Sequence, residues 1–264
     1  MLTEFDITGK VALITGSGRG IGAGVARVFA EAGADIALNA LTGKHLEPLA
    51  AEIAAASGRT VKPYPADLTE SKSVDSTVAA VLRDFGRIDI LVNGVGDAIP
   101  KPIIPLPGAA NDRGLLTDEE LKKIMDLNLT SAILCARAVG PHMLERRSGK
   151  VITISSFAAR KGGSGMAIYA IAKTGLNGFT RALGLEWAPY NVQVNAIAPG
   201  IFPDPVTGGP DAIERADERA KTTIPMGRAG RLREVGLLAV YLASAASDYM
   251  TGETIHLDGG MTAQ

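Results

Sequence analysis

The chain has 264 residues, of which 46% are hydrophobic and 21% charged, the proportions of an ordinary soluble globular protein. Its 27 basic and 28 acidic side chains give a net charge of −1, which argues against a nucleic-acid-binding protein. The single cysteine, Cys135, excludes an internal disulfide and a cysteine-based metal cluster. Apolar runs are too short for a membrane span, and the first residues do not resemble a secretory signal, so we expect a cytoplasmic protein.

Short apolar strands alternate with amphipathic helices along the chain. The predicted strands are Lys10–Thr15, Asp35–Ala40, one within Thr60–Leu68, Ile88–Asn93, Lys150–Ser155, Val192–Ala198 and Glu253–Asp258. The predicted helices are Gly20–Ala32, Lys44–Ser57, Lys72–Phe85, Thr117–Arg146, Ala167–Ala188 and Arg231–Ser244. The helix over 117–146 opens with Thr117 and Glu120, which have the spacing of a capping box.

Seven apolar strands separated by six helices require a parallel sheet that is covered on both faces. We therefore predict a single doubly wound α/β domain over residues 1–264. Two stretches do not fit a crossover connection, Asp97–Leu116 and Ile201–Thr223, and both are predicted to be irregular. Both follow strand ends on the side where such sheets bind ligands, so we expect active-site and substrate loops there.

A glycine-rich loop, TGSGRGIG at residues 15–22, stands between the first predicted strand and the first predicted helix. Glycines at this junction let the backbone approach a pyrophosphate, whose charge the helix N-terminus stabilises. The spacing matches neither a phosphate-binding loop with Gly-Lys-Ser/Thr nor the G-x-G-x-x-G pattern. A dinucleotide cofactor is indicated, and a plain tight turn is the alternative.

The choice of cofactor depends on the residues that follow the second strand. Enzymes specific for NAD usually carry an acidic residue there, whereas this chain has Ala40 and Leu41. Arg19, Thr42 and Lys44 could hold a 2′-phosphate through charge-assisted hydrogen bonds, unless the two cations are only solvated surface charges. NADP(H) is therefore favoured, and NAD(H) stays possible.

Tyr169 and Lys173 lie four residues apart in a predicted helix, so their side chains share one face. A phenol with a pKa of about 10 is a poor proton shuttle at neutral pH. A neighbouring ammonium group stabilises the phenolate and brings the pKa toward the working range. The pair is thus a candidate for acid/base chemistry.

Taken together, the motifs resemble those of the short-chain dehydrogenase/reductase family over almost the whole chain. The matching motifs, in chain order, are Thr15-Gly16-x-x-x-Gly20-x-Gly22, Asp67-Leu68, Asn93-Gly94-Val95-Gly96, Asn128, Ser156, Tyr169-x-x-x-Lys173, Pro199-Gly200 and Leu257-Asp258-Gly259-Gly260. The resemblance implies a Rossmann-type fold, hydride transfer to or from a nicotinamide cofactor, and a homotetramer.

The resemblance also implies roles for four catalytic residues. Tyr169 would exchange a proton with the substrate oxygen, and Ser156 would hold that oxygen. Lys173 would lower the pKa of Tyr169 and bind the nicotinamide ribose, while Asn128 would order a water that links Lys173 to solvent. The implied cofactor-binding residues are Gly16, Ser17, Arg19, Gly20, Ile21, Gly22, Asp67, Leu68, Asn93, Gly94, Tyr169, Lys173, Pro199, Gly200 and Ile201.

This sequence departs from the family pattern in three places. Gly94 stands where the family often has Asn, and the segment Asp97–Leu116 is longer than is common. Asp204 occupies the place of a Thr that contacts the carboxamide in the family, and Thr207 is a possible substitute. The longer segment suggests an altered substrate mouth, and none of the three departures affects the four candidate catalytic residues.

The leading hypothesis is therefore an NAD(P)(H)-dependent oxidoreductase that acts on a small secondary alcohol or ketone. Reduction of a 3-oxoacyl thioester is the alternative within the same chemistry. A dinucleotide-binding sensor without turnover is the alternative from another class, and the complete catalytic set argues against it. The histidines show no ligand spacing, so no metal is expected; they are His45, His142 and His256.

Overall fold

The computed structural model describes residues 2–105, 107–108 and 114–263. Seven strands form one sheet in the order β3-β2-β1-β4-β5-β6-β7, and every neighbouring pair is parallel. The strands are β1 Val11–Ile14, β2 Asp35–Ala40, β3 Val61–Pro65, β4 Ile90–Asn93, β5 Gly149–Ile154, β6 Val192–Pro199 and β7 Thr254–Leu257. The predicted doubly wound parallel sheet is confirmed.

Helices cover both faces of this sheet. They are α1 Gly20–Glu31, α2 Gly43–Ser57, α3 Ser71–Phe85, α4 Asp118–Met125, α5 Ser131–Arg146, α6 Ala167–Trp187, α7 Pro205–Gly208, α8 Ala212–Thr223 and α9 Leu232–Ala243. None of the helices within the described ranges is long and apolar enough to cross a membrane.

The prediction of one continuous helix over Thr117–Arg146 is wrong in its middle. The capping box of Thr117 and Glu120 is present at the start of α4. Between α4 and α5, however, Asp126–Thr130 forms a π-helical turn. The Asn128 side chain donates to the Ile124 carbonyl four residues earlier, at 2.9 Å, in the place of a backbone N–H group. This side-chain bond lets the backbone register widen, as π turns near functional sites often do.

The prediction that Ile201–Thr223 is irregular is also wrong, because it contains α7 and α8. Ala212–Thr223 is rich in Ala, Glu and Arg, which are strong helix formers. Only Ala212 and Ala220 of α8 are buried, so the segment lacks the apolar stripe by which helices are found in a sequence. The described parts of Asp97–Leu116 contain neither strand nor helix, as predicted; residues 106 and 109–113 lie outside the described residues.

Two apolar clusters cover the two faces of the sheet, because successive strand residues point to opposite sides. Ile14 belongs to the cluster that also contains residues of α1, α2 and α9, and Leu13 belongs to the cluster with residues of α3, α5 and α6. Cys135 is buried in the second cluster, and burial raises its pKa to about 12. The core thus holds the parallel strands so that their carboxyl ends lie along the same edge of the sheet.

The strand order reverses at β1, which lies between β2 and β4. In parallel α/β sheets the crevice at such a switch point, outside the carboxyl ends of the strands, is where ligands bind. The glycine loop follows β1 and the Asn93-Gly94-Val95-Gly96 segment follows β4. Both sequence motifs therefore meet at the switch point.

Helices α1 and α9 pack at a distance that only glycine allows. A Cβ atom on Gly236 would lie 2.5 Å from Val28 Cγ2 and 3.1 Å from the Gly24 carbonyl oxygen. A Cβ on Gly24 would lie 2.7 Å from the Leu232 Cβ. Because the neighbouring atoms are backbone or stiff side chains, they cannot move aside without separating the two helices.

We expect Gly236→Ala to destabilise the fold. Overpacking costs about 1–3 kcal/mol, and the helix propensity of Ala returns about 1 kcal/mol of it. Gly178→Ala in α6 is the matched control, because a Cβ there would approach only the end of the flexible Arg181 side chain. Denaturant unfolding at one fixed protein concentration should give Gly236→Ala a free energy of unfolding about 2 kcal/mol below that of Gly178→Ala. Equal stability of the two variants would contradict the close packing.

Candidate active site

A cavity of about 1060 Å³ lies across the carboxyl ends of the strands, from the glycine loop to α6. It is large enough for a dinucleotide cofactor together with a small substrate. Its wall contains most of the predicted site residues: Gly16, Arg19, Gly20, Ile21, Gly22, Asp67, Leu68, Gly94, Ser156, Tyr169, Lys173, Pro199, Gly200 and Ile201.

The glycine loop and the segment after β4 touch backbone to backbone. Gly16 has φ of +64°, and a Cβ on it would lie 2.7 Å from the Gly94 carbonyl carbon and oxygen. A Cβ on Gly94 would in turn lie 2.6 Å from the Thr15 carbonyl oxygen. The Gly94 N–H donates to Thr15 Oγ1 at 3.0 Å. In this chain, the contact leaves no room for a side chain at position 94, which explains why glycine stands there in place of the Asn that is often found in the family.

The first turn of α1 opens into the cavity. A Cβ on Gly22 would lie 2.5 Å from the Gly16 carbonyl oxygen, so the helix start is pressed against the loop. Arg19 is the N-cap residue, and within the described residues its side chain makes no capping hydrogen bond. Free N–H groups at a helix start bind phosphate oxygens. These features fit the diphosphate of a dinucleotide.

Two predicted cofactor-binding residues lie behind the cavity wall. The Ser17 hydroxyl donates to the Asn39 carbonyl at 3.2 Å and accepts from the Asn39 N–H at 3.0 Å, so it ties the glycine loop to β2. Asn93 is buried at the end of β4, with 3% of its surface exposed. The Ser17 side chain therefore supports the glycine loop, whereas the Asn93 amide finds no hydrogen-bond partner among the described residues; the structure brings neither side chain into the cavity wall.

The end of β2 forms another part of the wall. Ala40, Leu41 and Thr42 line the cavity and bring no acidic side chain to it. His45 lines it as well, whereas Lys44, which the sequence had suggested, is not among the lining residues. After β3, the Asp67 carboxylate accepts hydrogen bonds from the N–H and hydroxyl groups of Thr69, at 2.9 and 2.7 Å.

Ser156, Tyr169 and Lys173 meet at the opposite end of the cavity. Ser156 lies two residues after the end of β5; its hydroxyl accepts from the Ala158 N–H at 3.1 Å and lowers the pKa of the neighbouring Tyr169 phenol. Tyr169 lies in the first turn of α6, one turn before Lys173. The Lys173 Nζ atom lies 5.7 Å from the centre of the Tyr169 ring and donates to the Ile154 carbonyl at 2.9 Å. A phenol, a hydroxyl and an amine thus face one space.

Burial favours the uncharged form of both ionisable groups. Burial raises the pKa of the Tyr169 phenol, the hydrogen bond with Ser156 lowers it, and the nearby Asp97 carboxylate raises it; the net shift is upward. Burial also lowers the pKa of Lys173 to about 7. The sequence-based expectation was a lowered phenol pKa. The protein's own groups give the opposite direction, because the low polarity around the phenol outweighs the bond to Ser156.

Asn128 lies behind this group, in the π turn, with 1% of its surface exposed. Its Nδ2 atom donates to the carbonyls of Asp97, at 2.7 Å, and Ile124. Among the described residues its Oδ1 atom finds no hydrogen-bond partner. A Cβ on Gly96 would lie 2.7 Å from this oxygen and 3.1 Å from Lys173 Nζ. Gly96 therefore keeps open the space between the Asn128 amide and the Lys173 amine, where a bridging water would satisfy both.

The chain is similar to known proteins over almost its whole length. The family model described as enoyl-(acyl carrier protein) reductase matches residues 16–262. The 2-dehydro-3-deoxy-D-gluconate 5-dehydrogenase of Pseudoalteromonas atlantica is 38% identical, over 98% of this chain and 98% of the relative. The 3-oxoacyl-(acyl-carrier-protein) reductase FabG of Thermotoga maritima is 32% identical, over 97% of this chain and 98% of the relative.

The chain is similar to a solved structure both in fold and in sequence. The NADPH-dependent 3-quinuclidinone reductase from Rhodotorula rubra superimposes with a TM-score of 0.86 at 33% identity, over 99% of this chain and 94% of that chain. The chain belongs to the short-chain dehydrogenase/reductase family. It is an NAD(P)-dependent oxidoreductase that acts on small molecules.

Several residues of this dehydrogenase/reductase site were not found from the sequence. Gly96 lies within a recognised motif, but its role depends on the approach of Asn128 and Lys173 from other elements. Asp97, the next residue, lines the cavity, and its charge acts on Tyr169. Apolar side chains from three different segments also line the cavity; they are Phe157, Met166 and Phe202. Within the described residues, no group of three or more His, Cys, Asp or Glu side chains could hold a metal ion.

We expect Asp97→Asn to lower the pKa of Tyr169, because a carboxylate near a phenol disfavours the phenolate. Reduction needs the protonated phenol and is lost as the pH rises through its pKa, whereas oxidation needs the phenolate and increases over the same range. Both midpoints should therefore move to lower pH in profiles of kcat/KM.

Asp75→Asn on the exposed side of α3 is the matched control and should leave both midpoints in place. A shift to higher pH in Asp97→Asn, or no shift, would contradict the proposed influence of Asp97.

Proposed function

We propose that the protein is a carbonyl reductase or secondary-alcohol dehydrogenase that prefers NADP(H) and uses Tyr169 as its acid and base. The observation that carries this proposal is that Ser156, Tyr169 and Lys173 meet at one end of the cavity. The other end is formed by the glycine loop and the first turn of α1, which together we call the cradle. A substrate oxygen placed between Ser156 and Tyr169 would lie within hydrogen-bonding range of both.

In the direction of reduction, bound NADPH supplies a hydride to the carbonyl carbon. The Ser156 hydroxyl holds the carbonyl oxygen and stabilises the negative charge that develops there. Tyr169 donates its phenolic proton to that oxygen, which gives the alcohol. Lys173 lies one helical turn away and, when protonated, stabilises the resulting phenolate. The Asn128 oxygen and the Lys173 amine then form a path along which a water returns a proton to Tyr169.

The preference for NADP(H) rests on the residues around the glycine loop and the end of β2. Ala40 and Leu41 present no carboxylate that would repel a 2′-phosphate. Arg19 lines the same cavity with a half-exposed guanidinium group. The NADPH-dependent 3-quinuclidinone reductase supports this choice as a structural relative.

The substrate end of the cavity favours a compact, mostly apolar ketone or alcohol. The cavity wall includes the apolar residues Val95, Ala98, Phe157 and Met166. A 3-oxoacyl thioester is the second candidate, which the similarity to the FabG reductase supports. Comparing kcat/KM for acetoacetyl-CoA with that for cyclic ketones separates the two candidates.

We also propose a homotetramer. It is supported by large apolar side chains exposed on α5 and α6, namely Ile133, Ile171 and Leu185, which are 38%, 55% and 78% exposed. Sedimentation of the purified protein at several concentrations tests the assembly. The cytoplasmic location stays a prediction.

Tyr169→Phe should lower kcat for ketone reduction by about a hundredfold or more, because it removes the proton donor and keeps the ring. The affinity for NADPH, measured from nicotinamide fluorescence, should remain close to that of the parent protein. Tyr190→Phe, at the amino end of β6, is the matched control and should keep full activity. NADPH oxidation across a ketone panel by Tyr169→Phe at the parent rate would contradict the role of Tyr169. Binding without turnover in the parent protein would instead favour a sensor.

Arg19→Gln should weaken NADPH binding about tenfold, the size expected for the loss of a charged hydrogen bond, and should change NADH binding much less. Lys44→Gln is the control, because Lys44 is exposed on α2 and does not line the cavity. Dissociation constants for the two cofactors measure the effect. An equal loss for NADH and NADPH would show that Arg19 does not read the 2′-phosphate.

A further inference from the structure

Arg19 already has a partner in the structure. Its Nη1 atom donates to Asp204 Oδ2 at 3.2 Å, which joins the glycine loop to the segment after β6. The two residues are 185 positions apart in the chain, and both line the cavity. The Arg19 side chain is 51% exposed, whereas the Asp204 side chain is only 13% exposed. The Asp204 side chain is thus the more tightly packed of the two, and the Arg19 side chain is the more free to move.

Further hydrogen bonds hold the Asp204 carboxylate in place. Its Oδ1 atom accepts from the Val206 N–H at 3.0 Å, and its Oδ2 atom accepts from the Thr207 hydroxyl at 3.0 Å. Asp204 is therefore the N-cap of the short helix α7. Thr207, the residue considered as a replacement for the family threonine, uses its hydroxyl on Asp204.

The carboxylate also lies beside the start of α1. Its Cγ and Oδ2 atoms are 3.9 Å from the point where a Cβ on Gly20 would be. Gly20 is the first residue of α1, and the N–H groups of this first turn are the expected binding site of the cofactor diphosphate. An anion that binds at this helix start therefore meets the Asp204 carboxylate, and the half-exposed Arg19 guanidinium group is paired with that carboxylate.

We propose that Asp204 competes with the cofactor phosphates for Arg19 and thereby weakens cofactor binding. This inference rests on the proposed function, because it assigns Arg19 to a phosphate of the bound dinucleotide. Cofactor binding then requires the Arg19 guanidinium group to leave Asp204. The Asp204 carboxylate also repels the negatively charged diphosphate of the cofactor. Asp204 acts through Arg19 and is a positioning residue that limits the affinity for the cofactor.

Asp204→Asn is the direct test. Asn is nearly isosteric and caps helices as well as Asp does, so the start of α7 is retained. Removal of one screened like charge near a phosphate should lower the dissociation constant for NADPH about fivefold. Nicotinamide fluorescence titration of the purified protein, without substrate, measures this constant independently of turnover. Asp211→Asn in the same segment is the matched charge control and should leave it unchanged.

Competition for Arg19, rather than repulsion alone, is tested in the Arg19→Gln background. If the ion pair breaks on binding, the gain from Asp204→Asn should be about two- to fivefold smaller without Arg19, since exposed ion pairs contribute about that much. Equal gains in the two backgrounds would overturn the proposal, because Asp204 would then act only by repulsion. Weaker NADPH binding in Asp204→Asn would overturn it as well, because the pair would then close over the bound cofactor.

The outcome is separable from a failure of the proposed function. If the parent protein binds NADPH and Asp204→Asn binds it no more tightly, only the competition is refuted. If neither protein binds NADPH or NADH, both proposals fall. Thermal unfolding of each variant shows whether the fold is retained. The double variant Arg19→Gln with Asp204→Asn supplies a second comparison, because its net charge equals that of the parent protein.

Discussion

The contact between the glycine loop and the turn after β4 is the constraint on which the site depends. A Cβ on Gly16 would collide with the Gly94 carbonyl, and a Cβ on Gly94 would collide with the Thr15 carbonyl oxygen. The Gly94 N–H also donates to Thr15 Oγ1, just after the end of β1. This contact closes the switch point of the sheet and turns the first N–H groups of α1 toward the cavity. It also fixes the direction of the chain after Gly94, which brings Gly96 against Asn128 and Lys173. Cofactor cradle and proton path are therefore coupled through one short segment.

The catalytic end relies on burial as much as on hydrogen bonds. Lys173 is 3% exposed and its amine is bonded to the Ile154 carbonyl, yet burial brings its pKa to about 7. The Tyr169 phenol is shifted upward by the same cause. Neither group is therefore held strongly in its charged form by the protein itself, and a negative cofactor or a developing charge on the substrate can decide their ionisation. The Asn128 Oδ1 atom, which has no hydrogen-bond partner among the described residues, lies close to Gly96, as the Lys173 amine does.

Much of this could be predicted from the sequence, because it depends on local spacing. The period of the apolar residues gave the parallel sheet, and the four-residue step from Tyr169 to Lys173 gave a shared helix face. The remainder depends on contacts between distant segments. The pairing of Arg19 with Asp204 spans 185 positions, and the π turn at Asp126–Thr130 accompanies a bond from the Asn128 side chain to the Ile124 carbonyl. Helix α8 escaped detection because it buries almost no apolar surface.

The central claim is that the cavity brings a nicotinamide and a carbonyl carbon together beside Tyr169. The most direct measurement is the reduction of a cyclic ketone with NADPH that carries deuterium at C4 of the nicotinamide, followed by mass and NMR analysis of the alcohol. The account predicts that deuterium from one face of C4 appears on the carbinol carbon and that the hydroxyl proton comes from solvent. An alcohol without deuterium on that carbon, or the absence of any alcohol across a broad set of ketones with both cofactors, would contradict it.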